Sequence, residues 1–565
     1  MKAVIVGGVA TGPKVAARLR RLKPDADITI VEQGNVISYG ACGIPLYLGS
    51  LVPELEELTL TASGQKRDVA FFQGQKDVRV LTNTRAISID RAAKTVSVRH
   101  LLSGEEDTLP YDYLVLATGS RPYVPPLPGA GLSKVFTLHD PDDAEQLKRT
   151  VKEEKIRHVT VIGAGLIGIE IADVLAGPRL KVTVCESQNH VLPRLLDPDM
   201  AKLLERQMKH RGVDVRLGCK VKALEGDDTG AVGQVLTDQG QIETELVVFA
   251  VGVRPAIELA QAAGLTIGET GAIRVNESLQ TEDPCIYAGG DCAEQTHVMT
   301  GKPVYIPLAS TANKQGRIIA NNIAGKNEVF PGVAGTSVLQ AFDFNIGRTG
   351  LSEAEACDLG YKVITGVASG LDAAHFYPMH SSIVLKLIAD ETSGRLLGAQ
   401  VCGLGDGIKR LDILVTALKF GTTLVDIGNL DLGYAPPFAT PLDVVVHGAN
   451  ALENKRLGLV RGLSAFELQE SLRTGEEVLL LDVRKEDEVE SNPLAGPQVL
   501  HIPLGQLRKR WQEVPAFRRI VTVCEMGIRA YEAACILRGK GLAQVAYLEG
   551  GIAVWSAYQE EEQRS

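Results

Sequence analysis

The 565-residue chain reads as an α/β protein of several domains, and three observations point there. A strand that breaks into a glycine-rich turn, a helix and a second strand ending in an acid occurs twice, at residues 2–32 and 159–186. A separate strand–cysteine–helix unit closes the chain, with Cys524 at its turn. The length also exceeds what one hydrophobic core organises, since single cores stop growing near about 250–300 residues.

Taken in order, residues 2–6 are a strand, and Gly7-Gly8-Val9-Ala10-Thr11-Gly12 opens a helix that runs to about Lys23. The strand over 28–31 ends at Glu32, 20 residues beyond Gly12. Glycines, strand, helix and acid together describe a Rossmann-like βαβ unit, in which the helix N-terminus meets pyrophosphate and the acid holds a ribose hydroxyl. Val9 replaces the middle glycine, with Gly8 beside it. The second copy is complete: a strand over 159–162, Gly163-Ala164-Gly165-Leu166-Ile167-Gly168, and a strand over 181–185 ending at Glu186. Glu186 suits the ribose 2′-OH of NADH and repels a 2′-phosphate. No arginine follows before Arg194, so NADH is expected ahead of NADPH. A buried strand from Leu114 stops in the small-residue turn Gly119-Ser120-Arg121-Pro122, and Pro125, Pro126 and Pro128 after it read as a crossing between domains, while a strand over 246–251 ends in Gly252-Val253-Arg254-Pro255. Gly289-Gly290-Asp291 presents a carboxylate where a ribityl chain or pyrophosphate could be bonded, and a helix follows from about Thr311.

From about Gly332 the pattern changes to strands with a helix pair, including a helix over 410–420 and a stiff Tyr434-Ala435-Pro436-Pro437-Phe438 loop. The expected division is 1–112 with 254–328, then 113–253, 329–450, a flexible linker over 451–462, and a small α/β domain over 463–565. In that last domain a strand over 519–523 leads into Cys524-Glu525-Met526-Gly527-Ile528-Arg529 and a helix. A thiol there meets a nest of N–H groups, and Arg529 adds positive charge, so a thiolate or bound persulfide is expected to be stabilised.

Composition limits the function classes. The chain is 45% apolar and 23% charged, ordinary for a soluble globular protein. A net charge of −10 argues against nucleic-acid binding. No apolar run reaches spanning length, so no membrane partner is expected. Met1 runs straight into a strand, which leaves no visible signal peptide. The nine cysteines are scattered, with no Cys-x-x-Cys pair, which argues against disulfides and a metal site and fits a reducing cytoplasm.

One cysteine stands apart. Ser38-Tyr39-Gly40-Ala41-Cys42-Gly43-Ile44-Pro45-Leu46 sets Cys42 among small residues just before a segment that can open a helix. A thiol at a helix N-terminus is expected to have a lowered pKa. Taken alone, the same pattern also fits a core cysteine.

Together these motifs resemble the pyridine nucleotide–disulfide oxidoreductases over about residues 1–450. A lone Cys42 in Ser-x-x-x-Cys-Gly-x-Pro is similar to the single-cysteine branch: CoA-disulfide reductases, NADH oxidases and peroxidases, and persulfide reductases. The tail resembles a rhodanese domain through Asp482-Val483-Arg484 with Glu488, His501-Ile502-Pro503, the Cys524–Arg529 loop and Glu549-Gly550-Gly551 before Trp555. The order of the parts resembles CoA-disulfide reductase–rhodanese fusions. That resemblance implies two Rossmann-like FAD- and NAD(P)H-binding domains, an α+β dimerisation domain and a C-terminal rhodanese-like domain. By position, Gly7, Gly8, Gly12, Glu32, Gly119, Gly252, Gly290, Asp291 and Ala312 would hold FAD or line its turns. Gly163, Gly165, Gly168, Glu170 and Glu186 would hold NADH. Cys42 would be the redox thiol, and Ser38, Arg18, Arg21, Asn313 and Arg317 would meet CoA. Tyr434 of one subunit of a homodimer would reach the other's cysteine, while Cys524 and Arg529 would carry sulfane sulfur. Ala41, Phe376 and Leu442 depart from the family pattern. The implied activity is NADH-driven reduction of CoA disulfide, CoA persulfide or polysulfide. The alternatives are an NADH oxidase or peroxidase cycling Cys42 through sulfenic acid, and a non-catalytic flavin sensor or sulfur carrier.

Overall fold

A computed structural model describes residues 1–496, 498–515 and 519–559. It divides into two compact units, Met1–Ser187 with Gly212–Val333, and Gln188–Arg211 with the chain from Ala334 onward.

The first unit holds both nucleotide-type sheets. One has five parallel strands in the order Ile286–Ala288, Tyr113–Leu116, Lys2–Val6, Asp27–Val31, Arg79–Leu81. Ile5, Ile30 and Val115 are buried on one face with Leu19 and Ile319 of two helices. Val4, Val31, Leu114 and Leu116 are buried on the other with Val96 and Val98. Burial on both faces is why these strands read as near-continuous apolar runs rather than alternating ones. Tyr113–Leu116 pairs directly with Lys2–Val6, so it belongs to the first sheet, contrary to the expected boundary at residue 113. The crossings lie just beyond, where Ser120–Pro122 pairs antiparallel with Val253–Pro255. The second sheet runs Asp214–Arg216, Lys181–Cys185, His158–Ile162, Leu246–Phe249, Val135–Phe136.

The second unit joins an antiparallel sheet to a parallel one. The antiparallel sheet orders Ser337–Ala341, Phe344–Gly350, Leu396–Gly403, Ser382–Asp390 and Val363–Leu371, beside the helices Gly407–Phe420 and Val444–Arg456. Lys386, mid-strand and 2% exposed, reaches Asp197 at 3.0 Å, Asp199 at 2.8 Å and Glu353 at 2.8 Å. A buried ammonium needs such partners, and these carboxylates tie residues 188–211 to this sheet. The terminal parallel sheet runs Arg461–Leu463, Val545–Leu548, Arg519–Val523, Val478–Asp482, Val499–His501.

The flexible linker expected over 451–462 is not what forms. Residues 451–456 complete the helix Val444–Arg456, and the next strand begins at Arg461. The terminal domain is also clamped. Lys455 Nζ donates to Glu549 Oε1 at 2.7 Å and to Thr365 O at 2.9 Å. Val367 N–H donates to Glu549 Oε2 at 3.1 Å, and Ser369 Oγ donates to Gly550 O at 2.8 Å. Glu549 is 2% exposed, and its lone pairs are met from both sides of the joint. Glu549→Gln keeps the size and removes the charge that Lys455 faces. It is expected to lower the stability of the second unit by about 1–3 kcal/mol, read as a lower urea midpoint. An unchanged midpoint would show that the clamp adds nothing.

Candidate active site

The first glycine turn is backbone against backbone. A Cβ on Gly7 would fall inside Ala117 O, and one on Gly12 inside Gly7 O. Gly7 also sits at φ +113°, a region open to glycine. The helix Thr11–Leu22 starts with no side-chain cap and no acid in its first turn, which leaves its N–H groups available to a pyrophosphate. Glu32 is fixed by main-chain donors, with Oε2 accepting from Gly8 N–H at 2.6 Å and Oε1 from Gly34 N–H at 2.8 Å. Each oxygen keeps a lone pair for a ribose hydroxyl. Thr11 Oγ1 donates to Ala312 O at 3.2 Å, which brings the later helix Ala309–Ile323 to the same place. Gly290 N–H donates to Gln315 Oε1 at 2.7 Å, while Gln315 Nε2 and the Tyr305 hydroxyl are buried with no hydrogen-bond partner among the described residues. Asp291 accepts from Ser120 Oγ at 3.4 Å, and burial pushes its carboxyl up. A glycine-closed turn, an anchored acid and two orphaned buried polar atoms fit FAD. Gln315 and Tyr305 escaped the sequence reading. The signal for Gln315 was its place three residues past Ala312, on the same helix face.

The second turn repeats the construction. Gly163, at φ +104°, would set a Cβ 2.5 Å from Ala250 O, and a Cβ on Gly168 would fall inside Gly163 O. Around Gly165 the space is open, which is where a ligand's phosphates can approach. The helix Leu166–Leu175 likewise begins without a side-chain cap or an acid in its first turn. Glu186, 7% exposed, accepts from Ala164 N–H at 2.8 Å and Ser187 Oγ at 3.1 Å. Arg216, on the adjacent strand, is held by Asp214 at 3.1 Å.

Cys42 lies in a single 3₁₀ turn, Ala41–Gly43, that runs into the five-residue helix Ile44–Leu48. That short helix packs on Leu166–Leu175, where a Cβ on Gly49 would come within 2.7 Å of Val174 Cβ. Lys148 Nζ anchors its far end on Tyr47 O at 2.7 Å. The thiol is exposed, yet its pKa is raised, against the expectation from the sequence. Loss of water is the main cause, followed by the negative charges of Glu170 and Asp291, and its own main-chain hydrogen bond pulls the other way only weakly. A five-residue helix offers little dipole to oppose this. Glu170 is pushed up to about 7, by burial first and then by Asp173. The fold thus brings Cys42, Glu170 and Asp291 from three separate stretches into electrostatic reach of one another.

The residues expected to meet CoA are only partly assembled. The helices Thr11–Leu22 and Ala309–Ile323 lie side by side, with a Cβ on Gly316 placed 2.8 Å from Thr11 O. Arg21 and Arg317 are exposed. Arg18 Nε donates to Asn321 Oδ1 at 2.9 Å, and the Asn313 amide turns back to Ala309 O at 2.9 Å. Ser38 is buried at φ +52°, with its N–H on Gly8 O at 2.8 Å. Tyr434, in the second unit, is 48% exposed. Buried Arg410 stiffens its loop by donating to Phe438 O and Asp372 O, each at 2.8 Å.

In the terminal domain, Cys524 follows the strand Arg519–Val523 and is 1% exposed. Its Sγ accepts from Gly527 N–H at 3.2 Å and Ala530 N–H at 3.3 Å. Gly527, at φ +93°, turns the loop into the helix Ile528–Gly539. Arg529 does not bring the net positive charge expected of it. Its guanidinium makes two 2.6 Å bonds to Glu488, and that pairing holds the Glu488 carboxyl down at about 2. Main-chain donors bond the sulfur directly, and Arg529, paired with Glu488, acts on it only through space. Behind the loop, Arg484 is fully buried against Asp482 at 2.8 Å, Ile552 N–H donates to Cys524 O at 3.0 Å, and Gly551 lies where a Cβ would fall inside Cys524 O.

Comparison with known proteins agrees with this geometry. Residues 1–316 match the pyridine nucleotide-disulphide oxidoreductase family, residues 337–443 its dimerisation domain, and residues 464–558 the rhodanese-like domain. The chain is 38% identical over 452 residues to a Pyrococcus horikoshii protein named NAD(P)H coenzyme A polysulfide/persulfide reductase, covering 80% of this chain and 98% of that one. Among solved structures, a NAD-dependent persulfide reductase from A. fulgidus superposes with a TM-score of 0.93 at 43% identity, covering 98% of this chain and all of that one. A reduced Bacillus anthracis CoADR-RHD gives 0.89 at 35% identity, covering 99% and 98%. With its two glycine-closed turns, its dimerisation sheet and its cysteine-bearing terminal domain, the chain belongs to the pyridine nucleotide-disulphide oxidoreductase family and carries a rhodanese-like domain at its end.

Proposed function

We propose that the protein is an NADH-dependent flavoenzyme that reduces CoA persulfide, CoA disulfide or polysulfide at Cys42, with sulfane sulfur handled at Cys524. The observation that carries this reading is the gathering, in one unit, of an exposed cysteine and two glycine-closed nucleotide turns. FAD in the first cradle would supply a two-electron relay between nicotinamide and sulfur. Glu186 selects NADH by accepting from the ribose 2′-OH, and the neighbouring Arg216 is paired with Asp214 through Nε.

At the reacting centre Cys42 attacks the thiol-side sulfur of a persulfide, R–S–SH. A Cys42–S–S–R disulfide forms and HS⁻ leaves. The electron pair brought by NADH breaks that disulfide, which restores the Cys42 thiolate and releases RS⁻. The balance is R–S–SH + NADH + H⁺ giving R–SH + H₂S + NAD⁺. Glu170, pushed up to about 7 by burial and within electrostatic reach of Cys42, takes the thiol proton in this reading. Arg21 and Arg317 offer positive charge to the substrate's phosphates. The exposed apolar side chains Phe376, Met379, Phe438 and Leu442 form a face that a second copy of this chain covers, and Tyr434 completes the partner's site. No described helix is long and apolar enough to cross a membrane.

Anaerobic turnover tests the reading. One H₂S should appear per NADH consumed with CoA persulfide, and consumption that requires oxygen instead would sink it. The holoenzyme should favour NADH over NADPH in kcat/KM by about tenfold or more, and a preference for NADPH would remove Glu186 from its role. Cys42→Ser should keep FAD and its reduction by NADH while persulfide reduction falls by about a thousandfold or more, and retained reduction would disqualify the thiol. Cys524→Ser should abolish sulfur transfer from thiosulfate and leave reduction of small persulfides within about twofold. Equal loss of both activities would make Cys524 obligatory in the reductive cycle.

A further inference from the structure

In the terminal domain a cavity of about 270 Å³ opens at the amino ends of three neighbouring strands, Arg461–Leu463, Val545–Leu548 and Arg519–Val523. Cys524 leaves the opposite, carboxyl end of the last of these, so the cavity is a place distinct from the sulfur site. Four cations line it: Lys455, Arg461, Arg519 and Arg538. No carboxylate is among its lining residues, although the chain as a whole carries a net charge of −10.

The local charges do not cancel. Lys455 is answered by Glu549 at 2.7 Å and Arg519 by Glu476 at 2.5 Å. Arg538 donates to the main-chain oxygens of Gly458 and Leu459 and has no carboxylate within ion-pair distance among the described residues. Arg461 is exposed and makes no ion pair among the described residues. Its charge reaches Glu476 only as a weak contribution, well behind that of Arg519. Two guanidiniums therefore face one small space without a full counter-charge. Guanidiniums are forked donors matched to the paired oxygens of tetrahedral oxyanions.

We propose that this cavity binds a multiply charged tetrahedral oxyanion, either a phosphate group or a sulfur oxyanion. Lys455 and Arg519 are held in place by their acids, and Arg538 by the 458–459 turn. Arg461 is the cation left to close on the ligand.

The test uses the full-length holoenzyme with its nicotinamide site saturated with NAD⁺. Sodium diphosphate, orthophosphate and thiosulfate are titrated calorimetrically at constant ionic strength, into wild type, Arg461→Glu and Arg461→Lys. Among the described residues Arg461 makes no hydrogen bond through its side chain, so both variants are expected to fold, and circular dichroism checks this. The expected result is binding to wild type that weakens by about tenfold or more in Arg461→Glu and stays within about threefold in Arg461→Lys. Tighter binding of the two phosphate probes would identify a phosphate-bearing ligand, and tighter binding of thiosulfate a sulfur oxyanion. Isotherms that match in wild type and Arg461→Glu, or heats no greater than those of chloride at the same ionic strength, would overturn the proposal.

Discussion

Main chain touching main chain is the constraint on which both nucleotide cradles depend. In each, the end of the first strand turns sharply under the end of its neighbour. Gly7 closes on Ala117, and Gly163 on Ala250. The same two neighbours donate N–H groups to the carbonyls of Val6 and Ile162, each at 2.8 Å, so the ladder runs to the last residue before each turn. One side chain at Gly7, Gly12, Gly163 or Gly168 would part strand from helix and withdraw the helix N–H groups from the place where phosphates are met. The position of Cys42 follows from this. Its turn packs on the helix that the second glycine loop begins, so an error in either loop would displace the thiol.

The two cysteines work in opposite surroundings. Cys42 is exposed and flanked by carboxylates, which resist a second negative charge. That setting favours the neutral mixed disulfide over a lingering persulfide anion. Cys524 is enclosed and receives N–H donors, while the nearby guanidinium is already neutralised by Glu488. Hydrogen bonds of that kind favour sulfur that carries negative charge without adding a net cation to the loop. The proposed division between a reducing thiol and a carrying thiol rests on these contrasts in environment, not on residue type.

Much of this could be read from sequence, because the signals are local. Strand, glycine turn, helix and acid fall within about thirty residues, and the structure places Glu32 and Glu186 beside their turns as the spacing implies. The Cys524 loop is equally local. What sequence could not supply depended on residues distant along the chain. The rise of the Cys42 thiol comes from loss of water first and then from Glu170 and Asp291. The charge of Arg529 is cancelled by Glu488, which belongs to another helix. Gln315 becomes a polar group of the first cradle only when its helix packs on Thr11–Leu22. The supposed linker reads as polar and mobile, yet Lys455 within it meets Glu549, nearly a hundred residues on.

That last contact bears on how such a protein can be recombined. Because Lys455, Val367 and Ser369 reach across the joint to Glu549 and Gly550, the terminal domain is not an interchangeable cassette. A free-standing domain of the same fold, grafted after Arg456, would meet an ammonium and an amide N–H with nothing to receive them unless it carried an acid at the matching loop. The same loop backs the Cys524 turn, so a mismatched graft would loosen both the seam and the sulfur pocket. Fusion here has made two domains into one mechanical part.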